Sequence, residues 1–385
     1  MYSIYTQMPG LGLLFGERPI TGPNLVEYTV FQGVHIYMIG ERHDKNGNVE
    51  RKSDHVVEKI MAFSANNKSA CYIESTDGHA RDAFTVIKDR MKREHTKDIL
   101  KVADSPLFSY IGYMGMNDMS SVSTVMADIR NDTPYNIYTL LTNTDFYIYE
   151  NYGFNKTNDD LKKVRKLAKL AEKAIVRNIP TRIKAAEFFD SLYLPDVQYP
   201  EWFVSLYQTI AGNNIYPPSP LKDKMNALRT LSLSDYDSVT RHVRSLYRVW
   251  KMTPLPFTVA MERVESMRHT KSNALVAQTS EDAHRLFLEL GSYLFEINVI
   301  VDILIKIRNK TYDAGDSVVI LCGMKHAASI GLYFGCGINL PIYHKIDKGY
   351  EGTIPAGEAN NGTYMLPNMA ARPILNLNNK PKVQR

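Results

Sequence analysis

Cysteine is scarce in this chain of 385 residues, three in all, which excludes a disulfide framework as the source of stability. Cys71 and Cys322 fall inside or beside apolar runs, where a free thiol acts as a small hydrophobe. A cytoplasmic or other reducing intracellular compartment is therefore the expected setting. Met1 to Tyr5 lacks the basic and apolar regions of a secretory signal, so no signal peptide is expected. Long apolar runs are missing too: Ile297 to Ile307 is interrupted by Asp302 and Lys306, which argues against a membrane span. Charge of one sign is nearly absent as a bulk feature. The 46 basic and 41 acidic side chains leave a net +5, a mild bias that does not by itself imply nucleic acid, and no nucleic-acid partner is expected. Phosphate-binding glycine loops, zinc-finger spacings and a Gly-x-Ser-x-Gly elbow around Ser75 are absent, which removes the common nucleotide, zinc-finger and serine-hydrolase readings.

What is present is apolar content of 44%, enough for a substantial core in one large domain or two smaller ones. Residues 1–25, punctuated by Pro9, Gly10, Pro19 and Pro23, read as a leader loop. Val26 to Gln32 and Val34 to Ile39 read as two strands joined through Gly33. Asp54 to Asn66 has helical spacing and leads into a strand at Ala70. This β-α-β order predicts an α/β fold with a mainly parallel central sheet flanked by helices. Residues 26–154 form the first part of that core and 155–279 a helical insertion or cap. Residues 280–349 return to the core through a long helix from about Glu281 to Lys310, and 350–385, rich in Gly, Pro and Asn, form an extended arm. Lys162 to Arg177 lies on an amphipathic helix whose basic side is read as a solvated face.

Two tetrapeptides carry the chemistry. Gly40-Glu41-Arg42-His43 and Gly323-Met324-Lys325-His326 share the form Gly-x-x-His, and each follows a strand-like apolar run. A glycine at a strand end allows a sharp turn, and the carboxyl edge of an open parallel sheet is where ligands bind. Two further strand-like runs end in Glu74 and in Asp128-Ile129-Arg130. With these strands parallel in one sheet, Glu41, His43, Glu74, Asp128, Arg130 and His326 share one crevice. Two imidazoles and a carboxylate suit a catalytic divalent metal with an open coordination position, and an arginine suits a developing oxyanion.

These residues resemble the superfamily that joins Tiki and TraB-type proteins with erythromycin esterase-like and ChaN-like proteins. Its pattern is a Gly-x-x-His after the first core strand, a glutamate after the next, an arginine further along, and a second Gly-x-x-His after a long helix. The counterparts are Gly40 to His43, Glu74, Arg130 and Gly323 to His326. One departure lies before the second motif, where Tyr293-Leu294-Phe295-Glu296-Ile297-Asn298 replaces a basic signature. The resemblance implies a hydrolase acting on a peptide, amide or ester bond. In its metal-dependent form His43, Glu74 and His326 hold a divalent ion (Zn, Mn or Co), Glu41 orients or deprotonates water, Arg130 stabilises the tetrahedral intermediate and Asp128 supports from behind. In a metal-free form His43 is the general base. The alternatives are a structural or interaction protein that binds a protein partner through the helical insertion or the C-terminal arm, and a haem- or metal-binding protein of the ChaN-like kind.

Overall fold

The computed structural model describes residues 14, 20–21, 23, 25–41, 54–116, 123–129, 158–178, 182–211, 215–252, 293–338, 344–347 and 363–364. In chain order the elements are β1 Ile20–Thr21, β2 Leu25–Phe31, β3 Val34–Glu41, β4 Asp54–His55, α1 Val56–Asn66, β5 Ser69–Ile73, α2 Asp77–Arg93, α3 Ile99–Val102, α4 Pro106–Met116 and β6 Ser123–Met126. Helices follow: α5 Asn158–Asn178, α6 Arg182–Tyr193, α7 Glu201–Ala211, α8 Pro220–Leu231 and α9 Leu233–Met252, then α10 at 293–308. The chain closes with β7 Ser317–Gly323, α11 Met324–Leu332, a π-helical turn Tyr333–Gly337, β8 His344–Asp347 and β9 Thr363–Tyr364.

Two compact units result: Met1–Ala127 with Asn309–Arg385, and Asp128–Arg308. The expected boundaries at 154/155 and 279/280 lie outside the described residues. Helix α10 belongs to the second unit, whereas the sequence reading joins it to the returning core.

The first unit is built on a six-stranded sheet of order β6-β5-β7-β3-β2-β8. Its β6, β5, β7 and β3 pair in parallel, while β2 runs antiparallel to both β3 and β8. This is the expected mainly parallel α/β architecture. All seven residues of β7 are buried, as are all of β3 except His35. Strands covered on both faces read as continuous apolar runs rather than alternating ones, and Ile36 to Ile39 and Val318 to Leu321 have that form. Each fully buried Val, Ile or Leu among them contributes about 1.5–3 kcal/mol of transfer free energy before entropy is set against it. The buried Cys71 and Cys322 are free thiols. Burial, partly offset by a hydrogen bond with Tyr110, pushes the Cys71 thiol up to about 12, consistent with an inert core residue.

The hairpin between β2 and β3 turns on Gln32 and Gly33, both with positive φ, 51° and 84°. That pair defines a two-residue loop of the mirror-image type that matches strand twist. A Cβ at Gly33 would also lie 2.6 Å from Ala314 Cβ, so glycine is required there twice over. Three short strands, β4-β1-β9, form a second small sheet. Thus Ile20–Thr21, in the expected leader loop, and Thr363–Tyr364, in the expected arm, pair antiparallel with each other.

The second unit is helical in its described residues, as expected for the insertion. Its interior carries ion pairs as well as apolar contacts. Arg308 grips Asp235 with two hydrogen bonds of 2.5 and 2.9 Å. Lys224 reaches both Asn298 and Asp302, and Lys306 also pairs with Asp302. Burial pulls the Asp302 carboxyl upward, but Lys224 and Lys306 together outweigh it and hold the group below its ordinary value. The stretch that departs from the superfamily signature belongs here: Leu294, Phe295, Glu296, Ile297 and Asn298 are all buried in α10. Among the described residues, no helix is long and apolar enough to cross a membrane.

Candidate functional site

Adjacency of β3 and β7 brings Gly40 and Glu41, which open the first motif, beside Gly323, which opens the second, at one sheet edge. Glu41 is the register partner of Gly323, and a Cβ at Gly40 would stand 2.7 Å from Met324 Cα. The first glycine is therefore explained by close approach: any side chain there would push away the first turn of α11. Strand β5 lies on the other side of β7, with Ile73 paired to Leu321, so Glu74 emerges beside Gly323.

Glu74 connects three elements. Its Oε2 accepts the Gly323 N–H at 2.8 Å, and its Oε1 lies 3.1 Å from His326 Nε2. Gly323 is the N-cap of α11 and has no side chain to satisfy the free N–H groups of the first turn, so a carboxylate at this helix N-terminus is favoured by both hydrogen bonding and the helix dipole. His326, in that first turn, and Glu74 are 8% and 9% exposed. A carboxylate only accepts, so Nε2 is the ring nitrogen that carries a proton toward Glu74.

Glu41 has a parallel role in the fold. It is 1% exposed, and its Oε2 accepts the Leu107 N–H at 2.8 Å. Ser105 Oγ accepts the neighbouring Phe108 N–H at 3.3 Å. Together they satisfy the start of α4, with the carboxylate acting as a capping group from 66 residues away in sequence. Neither role, for Glu41 or for Glu74, follows from a strand-end position alone.

The remaining expected residues stand differently. His43 and Arg130 lie outside the described residues. Asp128 is half-buried two residues past β6, at the start of the second unit. A further residue pair occupies the β5 end: Ser75 Oγ lies 3.3 Å from His79 Nδ1, and the His79 ring meets Phe108 edge-on at 5.8 Å. Ser75 is 1% exposed, with its hydroxyl also 3.2 Å from the Thr76 carbonyl. The Ser-x-x-x-His spacing at the start of α2 was the available signal for that contact.

A three-donor metal centre does not assemble among the described residues. No three His, Cys, Asp or Glu side chains converge there, and the Glu74 oxygens face Gly323 N–H and His326 rather than a common point.

Comparisons with protein-family models, with characterised proteins and with solved structures return no match.

Proposed function

We propose that this chain is a hydrolase of peptide, amide or ester bonds in which His326 activates water and Glu74 orients it. The observation that supports this reading is the 3.1 Å approach of Glu74 Oε1 to His326 Nε2 at the carboxyl edge of the parallel strands. With the proton on Nε2, Nδ1 takes a proton from water as the oxygen bonds to the scissile carbonyl carbon. The Glu74 carboxylate stabilises the imidazolium that forms. The same proton then passes to the departing amine or alcohol as the tetrahedral intermediate collapses, so one water is consumed and the base is restored. Positioned general-base catalysis contributes about 10²–10⁴-fold in rate, which sets the size of the effect to seek.

The test is hydrolysis of a panel of nitrophenyl esters and short fluorogenic peptides by the full chain and by His326→Ala. Turnover that falls by at least about 10²-fold in the variant, with the fold intact, supports the reading. Equal turnover in both proteins, or none in the unmodified chain, sinks it.

A second reading, a structural or interaction protein, draws on a separate observation: Glu41 and Glu74 each hold a backbone N–H at the start of a helix. On that reading the glutamates and His326 are fasteners, and their substitution lowers the melting temperature with no turnover to lose.

A further inference from the structure

Five of the seven basic residues of helix α5 fall on one face. Lys162, Lys166, Lys169, Lys173 and Arg177 are all exposed, while Ala171 and Ile175 are sealed, at 0% and 2% exposure. At 100° per residue the five cations fall within a stripe about 80° wide, and at 1.5 Å per residue they extend over about 22 Å. Helix α5 packs against α7. Across Asn158–Asn178 seven basic residues stand against three acidic ones, a surplus of four, where the whole chain has a surplus of five. The mild net charge thus conceals a local concentration on one exposed helix face.

We propose that this stripe binds the phosphate backbone of double-stranded nucleic acid without reading its sequence. Three features of the face select this occupant. Lysines outnumber arginine four to one, and lysine offers a point charge to a phosphate rather than a two-pronged grip on a base edge. An acidic protein partner is disfavoured because protein interfaces are depleted in lysine and enriched in aromatics, methionine and arginine. Among the described side chains of this helix, Leu170, 43% exposed, is the large apolar one on the open surface. A membrane surface is disfavoured because an interfacial helix inserts its apolar side, and here Ala171 and Ile175 are sealed within the helical unit. A single strand would call for aromatic stacking platforms, and α5 contains no aromatic residue. Five phosphate contacts over about 22 Å match about six base pairs of duplex at 3.4 Å each. This inference is independent of the glutamate–histidine pair.

The experiment is fluorescence anisotropy of the full chain with a labelled, mixed-sequence DNA duplex of about 20 base pairs, between 50 and 200 mM salt. Five phosphate contacts give a slope of log affinity against log salt of about −4.5, an affinity loss of about 500-fold across that range. Lys166→Glu with Lys173→Glu is expected to reduce the slope to about −2.7 and to weaken binding at low salt at least tenfold. Lys166→Gln with Lys173→Gln repeats the slope test should the glutamates disturb folding, which circular dichroism monitors. Lys88→Glu with Lys97→Glu, exposed positions in the first unit, changes net charge equally and is expected to leave the slope unchanged. Absence of binding at 50 mM salt overturns the proposal, as does equal weakening by the stripe and control pairs. Tighter binding to a single strand, or to phosphatidylcholine vesicles containing phosphatidylserine, lost in the stripe variant, also overturns it by assigning the face to a different partner.

Discussion

Replacing Glu74 by Gln tests the site with almost no change of shape. The amide oxygen can still accept the Gly323 N–H, which leaves the NH₂ group facing His326 Nε2 at about the present 3.1 Å. Two donors cannot face each other, so the imidazole proton moves to Nδ1 and Nε2 becomes the acceptor. Each hydrogen bond to a charged group, worth about 1.5–3 kcal/mol, becomes a neutral one worth about 0.5–1.5, so the variant loses about 2 kcal/mol of stability. For a unit of this size that is a fall of about 4–8 °C in melting temperature. Turnover falls much further, by about 10²–10⁴-fold, because the basic nitrogen is now protonated. Melting curves, ester hydrolysis and ¹⁵N spectra of selectively labelled histidine report the three consequences separately. A variant with full turnover refutes the dyad; one with the original His326 tautomer refutes the hydrogen-bond argument beneath it.

Other outcomes follow from the same structure. Glu41→Ala strands the Leu107 N–H in the core and is expected to destabilise by about 2–3 kcal/mol, whereas Glu41→Gln, which keeps an acceptor, costs markedly less in chemical denaturation. Gly40→Ala drives a Cβ to 2.7 Å from Met324 Cα and is expected to cost about 1–3 kcal/mol, with hydrolysis falling further because the displaced turn carries His326; a neutral result would remove the close-approach account of this glycine. Burial lowers His55 from 6.5 to about 4, and its Nδ1 accepts the Val57 N–H at the start of α1. The neutral form is the folded form, so its stabilisation is complete above pH 6.5 and declines as pH falls toward 4, by up to about 3 kcal/mol. His242, lowered by burial to about 4 in the second unit, declines over the same window. Denaturation midpoints measured from pH 7 to 4 check this, and His55→Asn, a capping side chain that does not titrate in this range, flattens the first unit's share; an unaltered profile would contradict it.

The β2–β3 hairpin, the apolar β3, β5 and β7 and the helical middle were legible in the chain because each is a local pattern: a positive-φ glycine between strands, four-residue apolar runs, and apolar residues at helical spacing. Periodicity likewise identified α5 as amphipathic with a solvated basic side, and Lys162, Lys166, Lys169, Lys173 and Arg177 are exposed. What the sequence could not carry was the order of strands. Placing β7 between β5 and β3 is a tertiary decision, made by which buried faces pack together, and it sets Gly323 between Glu41 and Glu74. Sequence order alone suggested a common crevice for the strand-end carboxylates. Only the fold turned Glu41 and Glu74 each toward a helix N-terminus, because N–H groups at the starts of α4 and α11 are buried there and need an acceptor. The pairing of Glu74 with His326, 252 residues apart in numbering, is the joint product: residue types written locally, and a contact decided by where two parallel strands end.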